Sequence, residues 1–227
     1  GNLSYDLAFA RMDSGGALAA PSRPVAAGPG ASTRPSLVAT ESGFLVAWLD
    51  TRDGENGLYV AVLDADGAVV GDPTRVDAGG PDSQVRHPTL TRGDRLHGLV
   101  WSDARSGNRE IYFTTVGANG AVAPAVRLTH DRHLSQHPVV VWDTERFAVA
   151  WSDDRDGYDQ ILLQRVHVDG TSDESPSWMT STRERSNQPS LFAAGPGQYV
   201  LGWEETDVVD RDVWFRTAVQ VADVTCP

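Results

Sequence analysis

The chain repeats itself at intervals of about fifty residues, a period that belongs to stacked or radially arranged units. Trp48, Trp101, Trp151 and Trp203 each end an apolar run: 44–48, 97–101, 147–151 and 199–203. A proline opens each unit at Pro35, Pro88, Pro138 and Pro189. Three of the tryptophans lead into almost the same text: Trp48-Leu-Asp50-Thr-Arg52, Trp101-Ser-Asp103-Ala-Arg105 and Trp151-Ser-Asp153-Asp-Arg155. The fourth copy keeps acid after Trp203, as Glu204 and Glu205, and loses the Arg and Gly.

Each unit reads as four short strands. In the second copy these are 88–91, 96–103, 110–116 and 126–129, rich in Val, Leu, Ile, Phe, Tyr and Thr and bounded by Gly, Asn, Asp or Pro. Nine residues beyond the first apolar residue of each third strand stands a glycine: Leu7 to Gly16, Leu58 to Gly67, Ile111 to Gly120, Ile161 to Gly170. A glycine held at one offset predicts a positive φ in a shared hairpin turn. No stretch shows helical periodicity. The fold class is therefore all-β.

Four strands per unit of this length is the blade of a β-propeller, its sheets set radially around a channel. Units at about 35–85, 86–136, 137–187 and 188–220, with 5–26 as an N-terminal half-blade, predict a single domain of four antiparallel blades. The terminal strands are expected to pair and close the ring, which hides sheet edges. The count leaves one strand over, because Leu7 and Val213 both begin candidate third strands; five blades or an assembly between chains are the alternatives.

Composition narrows the function classes. The net charge of −12 in 227 residues argues against nucleic acid and against an anionic membrane surface. No apolar run is long enough to span a bilayer as a helix. A single cysteine, Cys226, excludes a disulfide framework within the chain. All 19 basic residues are Arg, a side chain suited to bidentate pairing with Asp.

The unit Pro–apolar–turn–apolar–Trp-Ser-Asp-x-Arg-x-Gly, followed in the second copy by Ile111-Tyr112 and Arg127-Leu128-Thr129, resembles the propeller repeats of the TolB-like group. It is also similar to Trp-x-Asp-x-Arg blades of secreted bacterial proteins. The resemblance covers nearly the whole chain. It implies an extracytoplasmic propeller, secreted, periplasmic or at the cell surface, and is specific for architecture only.

Three sets of residues are candidates for chemistry. The first strand of a propeller blade runs along the channel, so the residues before the opening prolines belong near one mouth. These are Arg34, His87, His137 and Gln188, expected to form a polar ring for a ligand. The second set is His130, Asp131, His133 and His137, the residue types of a zinc or nickel site, although on a loop and without a second cluster. The third is the repeated Trp-x-Asp-x-Arg text, expected to be structural: an Arg fork on a carboxylate, repeated around the ring, would hold blade spacing. Calcium on these acidic loops is the alternative. Trp142, Trp178 and Trp214 break the repeat and are candidates for an exposed aromatic platform.

Enzyme signatures are weak. Glu204 and Glu205 are adjacent on a strand and point to opposite faces, so they do not form an acid/base pair. There is no Gly-x-Ser-x-Gly elbow. The reading from sequence is a non-enzymatic binding module that recognises a protein or glycan through the channel mouth. A lectin-like propeller with repeated sugar pockets, or a hydrolase with carboxylates borne on several loops, are the alternatives.

Overall fold

A computed structural model describes residues 5–77, 82–206 and 220–223. Every regular element in them is a β-strand. Strands β3 (Ser32–Ala39), β4 (Gly43–Asp50), β5 (Gly57–Asp64) and β6 (Val69–Arg75) form the first four-stranded antiparallel sheet. The second holds β7 (Arg86–Thr91), β8 (Leu96–Asp103), β9 (Glu110–Gly117) and β10 (Val126–Arg127). The third holds β11 (Ser135–Trp142), β12 (Phe147–Asp153), β13 (Gln160–Val166) and β14 (Ser177–Trp178). A three-stranded sheet follows, with β15 (Arg185–Gly195), β16 (Gln198–Thr206) and β17 (Gln220–Asp223). The N-terminal β1 (Leu7–Phe9) and β2 (Arg23–Ala26) pair as a two-stranded sheet. The molecule is a β-propeller: four blades preceded by the outer half of another.

Alternation along the strands builds the junctions. Leu45, Ala47 and Leu49 of β4 face the second blade and pack on Leu99, Trp101 and Tyr112. Val46 and Trp48, one residue out of phase, face the half-blade and pack on Leu7, Phe9, Val25 and Ala26. Period two puts successive side chains on opposite faces, so a strand buried on both faces reads as a continuous apolar run. Each repeat tryptophan packs on the blade before its own: Trp151 on Val100, Ile111 and Phe113, and Trp203 on Ala148, Ala150 and Ile161. Trp48, Trp101 and Trp151 are fully buried.

The same logic explains β1 and β2. Ser135 N donates to Arg109 O and Ser186 N to Asp159 O, each joining an inner strand to the preceding blade. Ser32 N donates to Tyr5 O at 2.7 Å, the equivalent bond. The half-blade therefore stands where a blade before the first would stand, and supplies the wall on which Trp48 packs. The expected pairing of N-terminal strands with the C-terminal inner pair is not the one formed: β17 holds the outer edge of β16. The N-terminal third strand thus finds a place as β1 in a blade position before the first. Of the expected strand at 213–220, only Gln220 lies within the described residues.

The hairpin glycines conform closely. Gly16, Gly67, Gly120 and Gly170 have φ of 82°, 81°, 82° and 81°. A left-handed residue there lets two strands reverse without steric cost to a side chain.

Candidate functional site: the channel mouth

The four inner strands share an irregularity. In β3 the register steps from Thr33 opposite Leu49 to Ser36 opposite Ala47, so Arg34 and Pro35 together oppose Trp48. The same two-against-one bulge sets His87-Pro88 against Trp101, His137-Pro138 against Trp151 and Gln188-Pro189 against Trp203. Proline has no N–H for a ladder and is tolerated within a sheet at a bulge. The residue before it is turned into the left-handed region: φ is 54° at Arg34, 52° at His87, 52° at His137 and 49° at Gln188. Non-glycine residues there are strained by about 1–3 kcal/mol each.

These four residues and their prolines, with Thr89 and Val139, line one open cavity of about 390 Å³. The structure thus brings together residues up to 155 positions apart in sequence, from 34 to 189. The rings of His87 and His137 lie 4.3 Å apart, tilted by 60°. Nδ1 of His137 is 2.7 Å from Oδ1 of Asn187, which also accepts from Ser152 Oγ at 2.7 Å. An amide oxygen only accepts, so the proton of this bond sits on Nδ1 of His137, and Nε2 is the ring nitrogen left for a ligand. Nδ1 of His87 is buried with no hydrogen-bond partner among the described residues. Burial, with the charges of His137, Arg34, Arg109 and Arg86, pushes the His87 pKa down to about 4. At neutral pH His87 is an uncharged imidazole. Gln188 Nε2 donates to Glu204 Oε2 at 2.7 Å at the rim.

The residues around the ring that sequence reasoning did not single out are Asn187, Ser152, Arg86 and Arg109. Asn187 and Arg86 directly precede Gln188 and His87, so the X-Pro register carried their position; their roles depend on neighbours from other blades.

The segment 130–137 does not gather a metal site. His130 is exposed. His133 Nδ1 lies 3.7 Å from Asp154, and an Asp131 oxygen accepts the His133 backbone N–H. His137 turns instead to the channel. Among the described residues no three His, Cys, Asp or Glu side chains are grouped to hold an ion.

The Trp-x-Asp-x-Arg loops are self-contained. Asp50 accepts from Trp48 Nε1 at 2.9 Å, Ser32 Oγ at 2.9 Å and Arg52 at 2.6 Å. Asp153 accepts from Trp151 Nε1 at 3.0 Å, Ser135 Oγ at 2.9 Å and both arms of Arg155 at 2.6 and 2.7 Å. Asp103 accepts from Ser83 Oγ and Arg105, while Trp101 Nε1 is left without a partner among the described residues. Burial alone would raise the Asp153 carboxyl; the bonds from Arg155 and Trp151 outweigh it and hold the group below the usual carboxylate range. The ion pair closes within its own blade, tying the β12–β13 loop to the start of β11 and so on around the ring. It does not bridge neighbouring blades, whose junctions are packed chiefly by apolar side chains. The fourth copy keeps part of this: Trp203 Nε1 donates to Glu205 at 3.1 Å. Trp142 is half-buried beside Phe147 and Trp178 is 39% exposed; Trp214 and Cys226 lie outside the described residues.

No protein-family model and no curated protein matches the sequence. Solved structures do match in shape. An endo-arabinase from Bacteroides thetaiotaomicron superposes with a TM-score of 0.52 at 13% identity, over 78% of this chain and 70% of that one. A thermostable family-43 glycoside hydrolase gives 0.53 at 12% identity, over 87% and 70%. A putative TolB from Agrobacterium tumefaciens gives 0.48 at 19% identity, over 84% and 76%, a likeness too loose to carry an argument. At these identities the likeness establishes the propeller fold and nothing finer.

Proposed function

We propose that the protein is a non-catalytic, extracytoplasmic binding module of the Trp-x-Asp-x-Arg propeller kind, recognising a protein or glycan through the channel mouth. One observation carries the reading: four non-glycine residues at equivalent positions, all left-handed, converge on one cavity. Glycine adopts that conformation freely. A purely structural bulge would be served by glycine in every blade, whereas Arg, His, His and Gln stand there. Strain of this kind persists where the surrounding fold over-determines it, and it concentrates at ligand sites.

The differing side chains favour one asymmetric site over the repeated pockets of a lectin-like ring. Hydrolysis of glycosides in the two-carboxylate manner needs an acid and a base flanking the bond; this cavity presents imidazoles, a guanidinium, an amide and a hydroxyl. The test is a combined glycan and peptide array probed with the native protein and with Arg34→Ala/Gln188→Ala, two exposed positions whose truncation spares the core. Hits lost in the double variant are the expected result. Binding that survives in it, or release of reducing sugar from a bound glycan, overturns the reading.

A further inference from the structure

The inference that follows rests on the mouth being a binding site and concerns what it binds. We propose that the mouth receives the carboxylate of an acidic sugar residue.

Charge is distributed unevenly over this acidic chain. Arg52, Arg75, Arg105, Arg127, Arg155 and Arg165 are each tied to a carboxylate. Arg34, Arg86 and Arg109 make no such ion pair among the described residues, and all three act on His87. Arg109 is half-buried, and its charge is disfavoured by burial and by Arg86. Asp103 pulls in the other direction but is occupied by Arg105. Arg109 donates to the Gln84 carbonyl at 3.3 Å, a neutral acceptor that leaves its charge unmatched, and a partly desolvated guanidinium is costly unless an anion joins it. The nearby carboxylates are engaged too: Glu204 by Gln188, and Asp159, 3.8 Å from Arg185. In a chain of net charge −12 the mouth thus holds the Arg34 guanidinium, with no carboxylate partner among the described residues, and a buried, unpartnered imidazole nitrogen.

The lining decides what carries the anion. Pro35, Pro88, Pro138 and Pro189 remove backbone donors from the innermost strands at the mouth. An extended peptide adding itself as a strand would need those donors. What remains is side-chain hydrogen bonding from Gln188 and the imidazoles, beside rigid pyrrolidine faces. A pyranose ring with a carboxylate presents the matching surfaces, and the cavity of about 390 Å³ lies within the range of small-ligand sites. The carboxylate meets the guanidinium of Arg34, and the ring hydroxyls meet His137 Nε2 and Gln188.

The experiment is titration calorimetry with trigalacturonate, its uncharged methyl ester, and triglycine. Trigalacturonate is expected to bind at least tenfold more tightly than the ester, and Arg34→Gln, an exposed change, to abolish that difference. His87→Gln, checked for folding by its circular dichroism, is expected to weaken the acid likewise. Equal binding of acid and ester, both lost in Arg34→Ala/Gln188→Ala, overturns the carboxylate while the mouth stands as a binding site. Acid binding unaltered in every mouth variant overturns both. Triglycine displacing trigalacturonate at lower concentration assigns the anion to a peptide terminus and overturns the sugar, as does failure of trigalacturonate to bind.

Discussion

Two features recur in this molecule and recur differently. The Trp-x-Asp-x-Arg loops repeat their side chains, with the Arg on the Asp in three blades and the Trp indole on it in two of them: Trp48 and Arg52 on Asp50, Arg105 on Asp103, Trp151 and Arg155 on Asp153. The mouth repeats a backbone: the same bulge, the same proline, the same left-handed φ, but with Arg34, His87, His137 and Gln188 in turn. In the loops the carboxylates are saturated with donors. At the mouth the His87 Nδ1 atom has no hydrogen-bond partner among the described residues, and the Arg34 guanidinium there makes no ion pair among them. A requirement common to every blade selects the same side chains; a requirement of the ring as a whole selects a common geometry and lets the side chains differ. Repetition of identity therefore marks the scaffold here, and repetition of conformation marks the candidate site.

The comparison can be broken most easily at Asp153. Asp153→Ala strands Arg155, the Trp151 indole N–H and the Ser135 hydroxyl around a fully buried position, and should cost about 3–5 kcal/mol in denaturant unfolding. A loss under about 1 kcal/mol would mean the loops are ornament and the contrast with the mouth false.

At the mouth the sign should reverse. Arg34→Gly or Gln188→Gly relieves a left-handed non-glycine residue at an exposed side chain, and should stabilise by about 0.5–1 kcal/mol after the extra freedom given to the unfolded chain. Ligand binding should fall at the same time. Destabilisation by either change would place the mouth residues with the scaffold.

The last effect is a pH dependence. The His87 pKa in the folded protein, about 4, lies below the ordinary 6.5. Between these values the unfolded chain takes up a proton that the folded chain refuses, so this contribution is fully present above about pH 6.5 and is lost as pH falls towards 4. The denaturation midpoint of His87→Gln should decline less over that window than that of the native protein. Parallel curves would show that the imidazole is not shielded as its surroundings require.

Much of the fold was legible from residues alone because its determinants are local and periodic. The strand 96–103 is bounded where β8 is, and the hairpin glycines announce their φ by a constant offset from the third strand. The convergence of Arg34, His87, His137 and Gln188 was legible too, once the X-Pro register was laid on a ring. Other things were not. His133 and His137 stand four residues apart, yet His133 lies by Asp154 in its own blade and His137 bonds Asn187 of the next, because a strand start sends them different ways. Asp143, held by Arg165 of its own blade, accepts from Tyr199 and Gly197 across the junction of the third and fourth blades, a clasp that the repeat text does not signal.

By itself the sequence determined the all-β class, the unit, the turns and the apolar faces, since each depends on side-chain alternation and backbone preference within a few residues. Only the tertiary structure decided which sheet closes on which, that the Arg forks lock single blades rather than pairs, and that one guanidinium, two imidazoles and an amide meet at one mouth. Those are properties of distances between blades. Charge and burial at a point depend on everything packed around it, and the order of residues along a chain carries that information only through the fold.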